Sequence, residues 1–167
     1  MKLKPFFLPL ITLLSLSSCT LPAQTASTWQ PRTFNGKEFV PGESKEMPSF
    51  WIRDGFIPRT DKPGDQVVNI GRLPAKVGAV AGICYLQSSG GKLSDKSGVT
   101  PYADEQITIK SAREGIFVAR TDDNGLFIET LYPGEYEFSC RGAGSSAIVT
   151  EGKTTLVHIK GGKRMAD

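Results

Sequence analysis

The chain has 167 residues, 39% of them hydrophobic and 22% charged, with a formal net charge of +3. That length suits one ordinary domain with extra segments. The small net charge excludes the domain-wide basic excess that marks nucleic-acid binding. One histidine and three cysteines are too few for a zinc cluster, so neither a metal nor another cofactor is expected.

The chain opens Met1-Lys2-Leu3-Lys4-Pro5, and the run from Phe6 to Leu16 is apolar apart from Pro9, Thr12 and Ser15. A charged start followed by an h-region of about eleven residues is the pattern of a cleavable secretory signal. The run is shorter than the roughly 20 residues that span a bilayer. Two prolines and the basic flank oppose the alternative of a buried core helix. Leu16-Ser17-Ser18-Cys19 resembles the lipobox of bacterial lipoproteins, an aliphatic residue and two small residues before a cysteine. The resemblance implies that residues 1–18 are removed. It also implies that the Cys19 thiol takes a diacylglycerol and that the new N-terminus gains a further acyl chain such as palmitate. Two or more chains hold a protein firmly at a membrane. By family analogy Thr20 in place of an aspartate favours the outer membrane over the inner one, and the expected location is the cell envelope, at the periplasmic face. The mature chain then has 149 residues and, without Lys2 and Lys4, a charge of +1.

With Cys19 assigned to lipid, Cys84 and Cys140 remain. An even pair in an oxidising compartment reads as one disulfide; two free buried thiols are the alternative.

Residues 19–76 read as an irregular, acylated arm. Seven of the eleven prolines fall here: Pro22, Pro31, Pro41, Pro48, Pro58, Pro63 and Pro74. Prolines at that density oppose long helices and central strands. As a flexible tether the arm would reach roughly 40 Å. Linkers are usually poor in aromatics, yet this one carries Trp29, Phe34, Phe39, Phe50, Trp51 and Phe56. Two readings follow. The aromatics pack on the next domain through a short added strand, or Trp29, Phe50, Trp51 and Phe56 dock on a partner protein.

From residue 77 to 161 short β-branched and aromatic runs alternate with turn signals. The runs are Val77 to Leu86, Gln106 to Lys110, Gly115 to Arg120, Leu126 to Leu131, Tyr136 to Cys140, Ala147 to Val149 and Thr155 to Ile159. A polar loop spans Gln87 to Gly98. Asn124-Gly125 favours a hairpin with positive φ, and Pro133-Gly134 suits a type II turn. These signals predict an all-β fold, a seven-stranded antiparallel sandwich, with a frayed basic tail over residues 162–167.

The stretches Thr121-Asp122-Asp123-Asn124-Gly125-Leu126-Phe127 and Leu131-Tyr132-Pro133-Gly134-Glu135-Tyr136 resemble the carboxypeptidase regulatory-like domains. Val149-Thr150-Glu151-Gly152, Gly82-Ile83-Cys84 and Pro101-Tyr102-Ala103 fit other parts of that pattern. The resemblance implies a transthyretin-like, or prealbumin-like, sandwich and says little about activity. It also implies that Cys84 faces the core. Cys140 shares a face with Tyr136 and Phe138 by period-two alternation, so a bond between them is permitted.

No catalytic constellation is present. His158 stands alone in a strand pattern. Relatives of this fold class that hydrolyse hydroxyisourate end in Tyr-Arg-Gly-Ser and use several histidines; this chain ends Gly162-Lys163-Arg164-Met165-Ala166-Asp167. Asp122-Asp123-Asn124 resembles the start of a calcium loop but lacks the later bidentate glutamate. Asp104-Glu105 reads as a solvated loop. The expected function is therefore a non-enzymatic envelope lipoprotein, a protein-interaction or scaffold module. Two alternatives are a type VI secretion outer-membrane lipoprotein and a carbohydrate- or peptidoglycan-binding module. The last requires aromatic platforms exposed on a sheet face.

Overall fold

Ala79-Val80-Ala81-Gly82-Ile83-Cys84-Tyr85 is an unbroken run of small and apolar residues, and every one of them is buried. A strand that reads apolar at every position, rather than alternating, has both faces covered. The run is the middle of β4 (Gly78–Ser89), and β4 is the central strand of the central layer. The structure is a computed structural model that describes residues 28–63, 71–89 and 98–165. The signal segment and Cys19 lie outside the described residues.

Every named element is a strand. The N-terminal part holds β1 (Gln30–Phe34), β2 (Phe39–Pro41) and β3 (Ser49–Ile52). After β4 come β5 (Gly98–Pro101), β6 (Gln106–Ser111), β7 (Gly115–Arg120), β8 (Leu126–Leu131), β9 (Gly134–Cys140), β10 (Ala143–Val149) and β11 (Thr154–Met165). Three sheets result. A small sheet has the order β2-β1-β3. The central sheet has β4 flanked on one side by β11, with β8 and then β5 as its other partners. The third sheet has the order β10-β9-β6-β7.

Alternate residues of β4 serve two cores. Val80 and Cys84 join Ile107, Ile109, Phe127, Phe138, Val149 and Ile159 between the central and third sheets. Ala81, Ile83 and Tyr85 join Phe34, Phe50 and Leu126 between the central and small sheets. Full burial of each large side chain stabilises the fold by roughly 1.5–3 kcal/mol. Gly82 sits where the Phe127 ring lies flush on the backbone, and a Cβ there would enter the ring.

Cys84 and Cys140 form a disulfide between β4 and β9, with Cα atoms 6.7 Å apart. It ties the central sheet to the third sheet through the core, as the two inward positions allow. In the chain-entropy account, a loop of that length contributes roughly 4 kcal/mol.

Several expectations need correction. Among the described residues the domain after residue 77 has eight strands, because Gly98–Pro101 adds β5 along Tyr85–Ser88 where β8 has ended. It is not wholly antiparallel, since β11 runs parallel to β4. Asn124-Gly125 does not close a hairpin. Its flanking strands β7 and β8 pair in different sheets, so the turn carries the chain across the sandwich. Gly125 keeps its positive φ of 71°, and a Cβ there would press on the Cys84 carbonyl. Gly134 has no positive φ and begins β9, so the Pro133-Gly134 turn is not type II. The backbone of the basic tail continues β11 to Met165 alongside β4.

The arm is not irregular over its described length. Pro31 sits in β1, the middle strand of the small sheet, opposite Trp51. Trp51 exchanges both backbone hydrogen bonds with Arg59 on its far side, at 2.7 and 3.0 Å. The Pro31–Trp51 pair is therefore a non-hydrogen-bonded one. On the β2 side Gly42 N–H donates to the Pro31 carbonyl at 3.1 Å, and the Thr33 hydroxyl, donating to the Gly42 carbonyl at 2.7 Å, replaces the N–H that Pro31 lacks. Pro41 ends the edge strand β2, and the Pro48 carbonyl accepts a bond from Phe34 N–H at 3.0 Å.

Candidate functional site

The two outer faces of the sandwich differ. The outer face of the central sheet is sealed by the chain's own small sheet. Phe34 and Phe50 are both 0% exposed there. The Phe34 ring packs against Tyr85 at 4.8 Å and against Phe39 at 5.3 Å.

The aromatics put forward for partner binding lie in this intramolecular layer. Phe50, Trp51 and Phe56 are buried, and Trp29 is half-buried with its ring 5.7 Å from Phe56. Arg53 stacks 4.3 Å from the Phe56 ring centre, and Lys62 stands 5.5 Å from that of Trp51. Their rings pack against their own chain, the contact that the first of the two sequence readings describes. Gly55 N–H also donates to the Gly152 carbonyl at 2.7 Å, fastening the layer to the β10–β11 turn.

The outer face of the third sheet has no such cover among the described residues. Alternation in β7 turns Phe117 and Ala119 inward and Ile116, Val118 and Arg120 outward. In β10 the exposed positions are Gly144, Ser146 and Ile148. Across the sheet, Lys110 stands opposite both Ile116 and Glu137, and Glu137 opposite Ser146. Ile116, Val118 and Ile148 are 68%, 62% and 65% exposed. Small residues on β10 between longer neighbours leave a shallow groove of about 760 Å³, lined by Lys110, Glu135, Glu137, Ser146 and Ile148 among others. Its lining carries both signs of charge, with Ile148 as its one exposed large aliphatic side chain.

The acidic turns are occupied by backbone. Asp122 Oδ1 accepts from Asn124 N–H at 2.9 Å and Leu126 N–H at 2.8 Å. This is an Asx turn, and it engages that oxygen of the carboxylate. Thr121 is buried; its hydroxyl donates to the Tyr102 carbonyl at 2.6 Å and accepts from Glu105 N–H at 2.8 Å. Asp104 pairs with Arg120 at 2.8 Å, and Glu105 with Arg141 at 3.2 Å. Among the described residues no group of three or more His, Cys, Asp or Glu is placed to hold a metal ion. His158 is exposed, with its ring 6.1 Å from Phe34 at the margin of the small sheet. Tyr136 is buried and donates its hydroxyl to the Tyr132 carbonyl at 3.0 Å. Burial, and secondarily the charge of Glu114, holds that phenol above its ordinary pKa. Burial likewise raises the Glu129 carboxyl.

Tyr132 is the one aromatic among the exposed large hydrophobic residues, and it lies at the β8–β9 turn rather than on the open face. Sequence reading did not single out Ile116, Val118 and Ile148. The signal was there: in Gly115-Ile116-Phe117-Val118-Ala119 apolar residues occupy both faces of an edge strand, so one set has to meet water or a partner.

No family model matches the chain, and no curated protein matches it. Among solved structures, a "putative carbohydrate binding protein" from Pseudomonas aeruginosa aligns with 54% of this chain and 90% of its own. The identity is 12% and the TM-score 0.38, too low a likeness to bear on function.

Proposed function

We propose that the chain is a lipid-anchored envelope protein that binds another protein and carries out no catalysis, with Cys19 as its attachment point. The observation that supports the binding role is the unequal cover of the two outer faces. The chain spends its own aromatic segment on one face and leaves three large aliphatic side chains and a groove on the other. Ile116 and Val118 on one edge strand and Ile148 on the other flank the charged middle strands, and exposed apolar side chains beside a groove mark interaction sites on soluble domains. The groove's alternating Lys110, Glu135 and Glu137 suit an extended segment of a partner that carries both charges, held by register as well as by burial. The anchor rests on the signal pattern and the lipobox of the N-terminal sequence, and the proposed location is the periplasmic face of an outer membrane.

Two measurements test the proposal. A Cys19→Ser variant is expected to leave the membrane fraction or to stall in processing while the disulfide-linked sandwich stays folded. A photo-crosslinking residue at Ile148 is expected to trap one protein partner, and the adduct to be lost in a Glu137→Lys variant. Membrane retention of Cys19→Ser would refute the anchor. Retention on glycan with no protein adduct would refute the partner class.

A further inference from the structure

β7 is the outer strand of the open sheet, with β6 as its neighbour. Thr121 N–H donates to the Glu105 carbonyl at 2.9 Å, directly beyond the Arg120–Gln106 register pair. Hydrogen-bonded pairs in an antiparallel ladder recur at every second residue. Ala119 and Phe117 therefore bond toward β6. The backbone groups of Ile116, Val118 and Arg120 point away from it, to the free edge.

Free edges are normally blunted by an inward charge, a proline or a bulge. One edge strand of the central sheet, β8, follows that rule. β8 carries Glu129 on the same row as the core residues Phe127 and Leu131, opposite Val80. β7 carries no such charge. Its inward row is Phe117 and Ala119, and its outward row presents Ile116 and Val118, 68% and 62% exposed.

We propose that two copies of the chain associate through β7, antiparallel about a two-fold axis at Phe117. The outward row is self-complementary in that register alone. Ile116 faces Val118 of the second copy, twice over, and Arg120 comes opposite Glu114 of the second copy. The same register pairs residues whose edge-facing N–H and C=O groups can be exchanged as hydrogen bonds. Moving the axis to Val118 sets Ile116 against Arg120, and moving it to Ile116 sets Val118 against Glu114. The Arg120–Asp104 ion pair is solvent-exposed on both sides, and such pairs hold a side chain weakly. The product is one eight-stranded sheet with two grooves, each left open over β9 and β10. A six-residue edge buries less than a standard interface of roughly 1,200–2,000 Å², so the dimer is weak and concentration-dependent. It requires neither the anchor nor the groove partner.

The test is sedimentation of the full chain in detergent across a concentration series. A monomer–dimer equilibrium is expected. Val118→Lys, at an exposed position, is expected to weaken it about tenfold or more. Glu114→Arg and Arg120→Glu are each expected to weaken it less, and the double charge swap to restore it. Copies carrying Ile116→Cys, produced together with copies carrying Val118→Cys, are expected to cross-link on oxidation. Monomers at every concentration, a dimer that Val118→Lys leaves intact, or a charge swap that fails to restore pairing would each overturn the proposal. Sedimentation reads this equilibrium whatever the state of Cys19, so its failure is distinct from failure of the membrane reading.

Discussion

The sealed face and the open face of this sandwich are made from similar residues put to different use. On the sealed face, Phe34 and Phe50 meet Ala81, Ile83 and Leu126, and none of these side chains touches water appreciably. On the open face, Ile116, Val118 and Ile148 stand on the outside of strands whose inner rows pack, buried or half-buried, toward the core. Both arrangements follow from period-two alternation. What separates them is whether the chain returns to cover its own outer row. An N-terminal segment that does so becomes part of the fold, and the uncovered sheet is left as the surface able to do work on something else.

Breaking the sealed face has the largest expected effect. Phe50→Ala should cost about 3–5 kcal/mol, measured by denaturant unfolding, and should loosen the small sheet while the Cys84–Cys140 core survives. Removing the disulfide by Cys84→Ser with Cys140→Ser should cost roughly 2–5 kcal/mol and should act on both faces alike, because the bond joins β4 to β9 between them. Intact protein mass sharpens the same point: the oxidised pair should be 2 Da lighter than the reduced one.

Glu129 gives a smaller, pH-dependent effect. Burial raises its folded-state pKa, so protonation favours the fold. Its stabilising share is full below the ordinary carboxylate value and is lost as pH rises through the raised one. Glu129→Gln should therefore be the more stable protein at neutral pH, and the two should converge at about pH 4 and below. Equal stability at every pH would show that Glu129 is not desolvated by the edge. The smallest effect is expected on the open face. Ile148→Ala should stay within about 0.5 kcal/mol of the native chain while weakening capture of a partner.

Much of the sandwich was legible in the sequence. The alternation in Gln106 to Lys110 and Tyr136 to Cys140 placed β6 and β9 and turned Cys140 inward, while the inward face of Cys84 came from the resemblance to carboxypeptidase regulatory-like domains. Turn chemistry was legible in kind but not in topology. Asn124-Gly125 demands a turn with positive φ in either case, and nothing local states whether the next strand pairs with the previous one or crosses to another sheet. The arm was misjudged on its prolines. Pro31 is tolerated because the Thr33 hydroxyl donates to the Gly42 carbonyl that a Pro31 N–H would otherwise serve, a contact set by the pairing of β1 with β2. The better signal was the unbroken apolar run from Ala79 to Tyr85. A strand apolar on both sides needs two covering layers, and the only aromatic-rich segment left to supply the second was residues 29–56.

Hydrogen exchange on the full chain tests the account most directly, because it reads both faces in one measurement. Amides of Phe34 and Trp51 in the small sheet should exchange as slowly as those of β4, through global unfolding. Amides of Ile116 and Val118 should exchange fast in dilute protein and slow as concentration rises. Fast exchange throughout β1 and β3 would contradict the sealed face, and protection of Ile116 and Val118 at every concentration would contradict the open one.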